Sequence, residues 1–122
     1  MELQVLGCEF SICKVTCTED IDFSREYVFI AKTPDEISCV YESANLPAST
    51  TAAEPGWRAI RVTGILDFDM VGVLAKITGI LAAAGISIFA VSTYDTDYIF
   101  IKAGKLDAGL KALINNGYTL VL

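Results

Sequence analysis

Histidine is missing from all 122 residues. Without an imidazole there is no Ser-His-Asp hydrolase, no Cys-His protease and no histidine-ligated metal centre. Positive charge is scarce, with nine Lys and Arg against fifteen Asp and Glu and a net charge of −6. The basic residues are scattered, whereas neutralising phosphates needs them clustered, so no nucleic-acid partner is expected. No apolar run reaches the ~18 residues of a membrane helix. Met1-Glu2 begins no basic n-region, and no small-residue cleavage site follows. We therefore expect no membrane partner and a cytoplasmic location. The four cysteines, Cys8, Cys13, Cys17 and Cys39, fit no common zinc spacing and have no histidine to assist them. They read as small buried hydrophobes on strands. Gly-rich phosphate loops and a nucleophile–base pair are also missing, so neither an enzyme nor a cofactor is expected.

What is present is apolar. The chain is 53% hydrophobic and only 20% charged, which excludes intrinsic disorder. Its charge is uneven. Residues 1–56 carry ten acidic and three basic side chains, and residues 57–122 carry five and six. Two such regimes in one short chain point to two lobes, which we place at 1–54 and 57–122.

The first lobe reads as β-rich. Residues 3–15 alternate over short range, 26–32 are β-branched and aromatic, and 37–41 form a third strand. Thr33-Pro34-Asp35-Glu36 reads as a tight turn or one helical turn. Residues 43–56, with two prolines and no apolar period, read as a linker. The second lobe is more regular. A strand at 57–63 leads through a loop to a helix at 71–84, where Val73, Leu74, Ile77 and Leu81 form a stripe. Asp69 is placed to cap this helix and Gly85 to end it. Strands at 87–93 and 98–102 flank a turn. Leu106, Leu110, Leu113 and Ile114 mark a second helix ended by Gly117, and 118–122 is a last strand. The order β-α-β-β-α-β is the ferredoxin-like pattern of an α+β fold. Helices cover one face of such a sheet. Phe89, Val91, Tyr98 and Phe100 are too apolar for a wet second face, which must be covered by the first lobe or by another subunit.

Several segments resemble one family. Asp69-Met70-Val71-Gly72-Val73-Leu74-Ala75-Lys76-Ile77, then Leu81 and Gly85-Ile86-Ser87-Ile88, are similar to the loop-to-helix motif of ACT domains, the regulatory amino-acid-binding modules. Ser92-Thr93-Tyr94-Asp95-Thr96-Asp97-Tyr98 resembles the aspartokinase-type ACT motif and the lobes of the CASTOR cytosolic arginine sensors. Residues 27–36 resemble the first lobe of those proteins. Val71 departs from the common metabolic ACT domains, which carry proline there. The resemblance implies a smaller ACT-like lobe ahead of a full ACT domain. It also implies a non-catalytic sensor, with an amino acid held between ACT lobes and a homodimer supplying four lobes.

The residues support a ligand site by their own chemistry. A right-handed crossover brings the loops after strands 57–63 and 87–93 to one sheet edge. These loops hold Asp67, Phe68, Asp69, Met70, Val71, Gly72 and Val73 on one side, and Ser92, Thr93, Tyr94, Asp95, Thr96 and Asp97 on the other. An α-ammonium wants carboxylates or carbonyls, and an α-carboxylate wants the N–H groups of a helix N-terminus. Gly72 lets backbone approach a ligand, and the hydroxyls add donors and acceptors. Plainer roles remain open at this stage. Asp69 serves equally as a cap, Gly72 as a packing glycine, Asp95 and Asp97 as turn residues, and Phe68 and Met70 as core. A cation on the aspartates is discounted for want of a calcium-loop pattern. The alternative function is a ligand-free dimerisation module with an unknown protein target.

Overall fold

The computed structural model describes residues 1–64 and 71–121. Alternation at the start of the chain becomes β1 (Glu2–Val15), which buries Leu3, Leu6, Phe10, Cys13 and Val15. It is followed by β2 (Phe29–Lys32), β3 (Ile37–Glu42), a 3-10 turn at Ser43–Asn45, and β4 (Thr50–Val62). Then come α1 (Val73–Ala83), β5 (Ile88–Ser92), β6 (Asp97–Lys102), a 3-10 turn at Ala103–Lys105, α2 (Leu106–Asn115) and β7 (Thr119–Val121). The run β4-α1-β5-β6-α2-β7 realises the expected α+β order. The chain divides into two compact units, Met1–Gly7 with Arg58–Leu122, and Cys8–Trp57. β1 and β4 contribute residues to both.

In the first of these units the strand order is β7-β1-β4-β6-β5. β7 runs parallel to the opening of β1, pairing Glu2 with Thr119, Leu3 with Leu120 and Gln4 with Val121. Strand positions Ile60, Val62, Ile99 and Ile101 share one core with Ile77 and Leu81 of α1 and Leu113 of α2. Each such side chain, fully buried, is worth about 1.5–3 kcal/mol. Both helices end alike. Gly85 (φ +75°) and Gly117 (φ +96°) take left-handed backbone. The next residues, Ile86 and Tyr118, donate their N–H groups back to Leu81 and Leu113 at 3.0 and 3.1 Å. Strand alternation turns Phe100 away from the helices, between Ile99 and Ile101. Phe100 is fully buried and stacks on Phe89 with ring centroids 4.5 Å apart. Val91 and Tyr98 on the same face stay half-buried.

Cys8–Trp57 is helix-poor. β3 pairs antiparallel with β1 from Phe10↔Glu42 to Val15↔Ile37, and with β2 from Phe29↔Val40 to Lys32↔Ile37. Cys13, Val15, Ile21, Cys39 and Tyr41 form its core. Cys13 lies directly opposite Cys39, and all four cysteines are free thiols. Burial raises both thiols in this pair, Cys39 to about 11.

Two local readings change. The segment read as a linker, 43–56, instead holds a 3-10 turn and the first half of β4. The Thr51 hydroxyl donates to Lys14 O at 3.3 Å and the Thr16 N–H to Ser49 O at 3.3 Å. Residues 51–55 are exposed, so the strand rests on backbone pairing and leaves no hydrophobic alternation to read. The helix expected from 71 begins at Val73 with Gly72 at its cap position, and Asp69, expected to cap it, lies outside the described residues.

Candidate functional site

β5 and β6 form a tight hairpin whose register ends at Ser92↔Asp97. The Ser92 hydroxyl donates to Asp97 Oδ1 at 2.5 Å across that last rung. The turn closes on Thr93, whose N–H donates to Thr96 O at 2.8 Å and whose hydroxyl donates to the same oxygen at 3.1 Å. Thr96 is only 8% exposed, and its hydroxyl donates to Val62 O at 2.8 Å. That bond ties the turn to the end of β4. The hydroxyl protons of Ser92, Thr93 and Thr96 therefore serve the fold. What the turn presents outward is Asp95 and the Tyr94 ring at 80% exposure, while Asp97 is half-buried.

The same edge carries the start of α1. Gly72 caps it with φ +79°, a left-handed backbone that glycine adopts without strain. Its carbonyl accepts the Lys76 N–H at 2.9 Å. Among the described residues no side chain caps the helix, and its first turn holds no acid. Among the described residues, no side chain accepts the N–H groups of its first turn, the groups an α-helix leaves without an internal partner. Val71, just before the cap, is 96% exposed. Asp67, Phe68, Asp69 and Met70 lie outside the described residues.

The first rungs of β1 complete the edge. Thr63 N–H donates to Glu2 O at 3.1 Å, and Thr119 N–H to Met1 O at 3.1 Å. The end of β4, the start of β1 and the start of β7 thus lie side by side. Beneath the first turn of α1 is a pocket of about 190 Å³ whose walls include Gly72, Val73, Lys76, Asn116 and Tyr118. Lys76 Nζ sits 5.6 Å from the centre of the Tyr118 ring. Sequence reading placed Val71, Gly72 and Val73 here but missed Lys76, Asn116 and Tyr118. A faint signal existed: Lys76 follows Gly72 by one helical turn, and Tyr118 follows the glycine that stops α2. Among the described residues no cluster of three or more acidic or cysteine side chains is positioned to hold a metal ion.

The ACT domain family model matches residues 52–115. The human and bovine proteins called cytosolic arginine sensor for mTORC1 subunit 1 are each 34% identical over 65 residues. The match takes in 52% of this chain, and the chain spans about a fifth (20%) of the length of those curated relatives. Among solved structures, a protein of Agrobacterium tumefaciens superposes with a TM-score of 0.85 at 29% identity, over 99% of this chain and 92% of that one. The ligand-free regulatory subunit of aspartate kinase from Thermus thermophilus has the same fold, with a TM-score of 0.59 at 13% identity, over 91% of this chain and 95% of that one.

Proposed function

Since the chain belongs to the ACT domain family, we propose that it is a non-catalytic regulatory protein that binds a free amino acid at an ACT–ACT interface of a homodimer. The observation that carries the reading is the sheet edge in the unit built from Met1–Gly7 and Arg58–Leu122. It offers opposite charges to a zwitterion: a helix N-terminus at Gly72–Val73 that no described side chain caps, and the Asp95 and Asp97 carboxylates of the turn. The ligand's carboxylate goes to the helix, and its ammonium goes to the turn. Asp67, Phe68, Asp69 and Met70, which precede Val71 in the sequence, enter the proposed site with it. Ser92, Thr93 and Thr96 hold the turn in shape, and Tyr94 and Asp95 meet the ligand or the second subunit. The relatives named for arginine sensing and for regulating aspartate kinase support a regulatory role.

A thermal-shift screen of the twenty amino acids tests the reading. At a hundredfold excess over Kd, binding adds about 2.7 kcal/mol to stability, an easily read rise in Tm. Asp95→Ala, on an exposed turn, is expected to remove the response and leave the unliganded Tm unchanged. No response from any amino acid at millimolar concentration ends the reading. The nearly complete exposure of Val71 and the exposed Tyr94 ring favour a second reading, a ligand-free dimerisation or docking module. It gains if the chain is dimeric by sedimentation and indifferent to every amino acid.

A further inference from the structure

The β1–β3 ladder sets two thiols face to face. Cys13 and Cys39 share one rung of it, and each is only 2% exposed. The kind of rung follows from the neighbouring hairpin. Thr33 N–H donates to Glu36 O at 2.9 Å, so the rung that closes the β2–β3 hairpin is hydrogen-bonded. Rungs alternate, which makes Ile30↔Cys39 a non-hydrogen-bonded one. Cys39 therefore turns its N–H and C=O away from β2 and toward β1. Cys13↔Cys39 is then a hydrogen-bonded rung, whose Cα atoms stand about 5.5 Å apart. A disulfide spans Cα separations of about 4.4–6.8 Å, but it draws the Cβ atoms to about 3.8 Å. Facing residues hold theirs at about 4.5–5.5 Å, so the bond forms under mild strain. Strain makes a disulfide easier to reduce, the property that separates reversible bonds from structural ones. The two sulfurs are already within hydrogen-bonding reach of each other, and the Cys13 thiol donates to Ser11 O at 3.8 Å. Neither Cys8 nor Cys17 faces a cysteine on this ladder.

We propose that Cys13 and Cys39 are a reversible redox pair, oxidised to a cross-strand disulfide by a low-molecular-weight disulfide and reopened by the corresponding thiol. In the closed unit the pair is protected twice. Solvent is excluded, and burial holds both thiols protonated at neutral pH, with the Asp20 carboxylate adding to the effect on Cys39. A thiol reacts as its thiolate. Oxidation therefore follows excursions in which β3 parts from β1. Cys39 loses its proton to solvent and attacks one sulfur of the small disulfide. A bond forms between Cys39 and that half, and the other half leaves as a thiolate that takes up a proton. As the strands return, the deprotonated Cys13 attacks the Cys39 sulfur and expels the second half in the same way. Two protein thiols are oxidised, and one small disulfide is reduced to two thiols. The product ties β1 to β3 and closes the loop between residues 13 and 39, which disfavours the next excursion. The pair lies wholly within Cys8–Trp57 and is independent of the amino-acid reading above.

The test incubates the full chain with oxidised and reduced glutathione in graded ratios, both in buffer and in urea well below the unfolding midpoint. Samples are quenched in acid, alkylated, digested and mapped by mass. Cleavage after Glu9 and Lys14 separates Cys8, Cys13 and Cys17 into different peptides. A cross-linked Cys13–Cys39 peptide is expected, forming faster in urea, and an excess of reduced glutathione should remove it. The oxidised chain is expected to melt about 5–10 °C higher than the reduced one. Cys39→Ala should abolish both the bond and the shift. The double variant Cys8→Ser with Cys17→Ser should keep both, so the result does not depend on Cys39→Ala folding. Three outcomes overturn the proposal: no cross-link under either condition, a bond mapped instead to Cys8 or Cys17, or an oxidised chain that melts no higher than the reduced one.

Discussion

In the unit Cys8–Trp57, β2 turns into β3 through Thr33–Glu36 and β3 runs into the 3-10 turn at Ser43–Asn45. Sixty residues on, β5 turns into β6 through Thr93–Thr96, and β6 runs into the 3-10 turn at Ala103–Lys105. Each hairpin closes with the threonine N–H donating to the carbonyl three residues later, at 2.9 and 2.8 Å. The module is the same, and what packs on it differs. The later hairpin is covered by α1 and α2 through a hydrocarbon core. The earlier one has no α-helix among the described residues and adds side-chain hydrogen bonds to a smaller core. The Asp20 carboxylate accepts the Ser49 N–H at 2.5 Å and the Ser49 hydroxyl at 3.1 Å. The Ser11 and Ser43 hydroxyls meet at 2.8 Å, and the Tyr41 hydroxyl accepts the Asp22 N–H at 3.2 Å. The contrast shows one backbone motif stabilised by two kinds of interaction, one indifferent to pH and one not.

The contrast is broken most forcefully in the hydrocarbon core. Leu81→Ala removes a fully buried side chain and is expected to cost about 2–5 kcal/mol in a urea titration. A loss well below 1 kcal/mol would show that α1 is a dispensable cover. Acid probes the other unit. Hydrogen bonds from Ser49 hold Asp20 below the usual carboxylate value, and bonds from Ser24 do the same for Asp22. Their unfolded forms bind protons first, so their stabilisation is present above the ordinary carboxylate pKa and is lost as pH falls through the folded value. Amide exchange measured against pH should show β3 losing protection before α1 does. Asp20→Asn should remove part of that pH dependence; an unchanged profile would locate the acid sensitivity elsewhere.

Alkali sharpens the comparison with a smaller effect in the opposite direction. Cys39 titrates near 11 against an ordinary 9.0. Between those values the unfolded thiol ionises while the folded one keeps its proton, so stability declines as pH rises. The same burial predicts that Cys13 and Cys39 react with iodoacetamide more slowly than the half-buried Cys8 and Cys17. Equal rates for all four would count against the assigned core. The smallest effects come from two glycines in the helices. A Cβ at Gly79 meets nothing within 4 Å, so Gly79→Ala should gain about 0.5–1 kcal/mol. At Gly109 a Cβ falls 3.1 Å from Ile101 Cδ1, and the crowding should cancel that gain in thermal melts.

The legible parts of the fold were those with local causes. The stripe Val73, Leu74, Ile77 and Leu81 announces α1, and Gly85 and Gly117 announce the two helix ends. The β-branched run of β5 and the Thr93–Thr96 turn are equally plain. Illegible parts depend on partners distant in sequence. The first half of β4 is a strand because β1 pairs with it, although Ala52, Ala53, Glu54 and Pro55 favour no strand. The start of α1 escaped because Gly72 caps it through backbone geometry, which leaves no side-chain signal to read. At the candidate site, Asp95, Asp97 and Gly72 were readable as residue types near one edge. The commitment of the Ser92, Thr93 and Thr96 hydroxyls was not, because their acceptors include a carbonyl on β4. Tyr118 lay in a strand by sequence, and only the folded edge turns it toward a pocket.

The parallel pairing of Glu2–Gln4 with Thr119–Val121 sets an order of assembly. A ribosome releases β1 well before its partner β7. Cys8–Trp57 is contiguous, so every residue it needs has emerged before α1 is made. The opening residues of β1 must wait for β7 before that pairing can form and the loop between them can close. A fragment cut at residue 57 leaves β7 without the strand it pairs with. The unit that holds the candidate site is then completed only after β7 has been made, later than Cys8–Trp57.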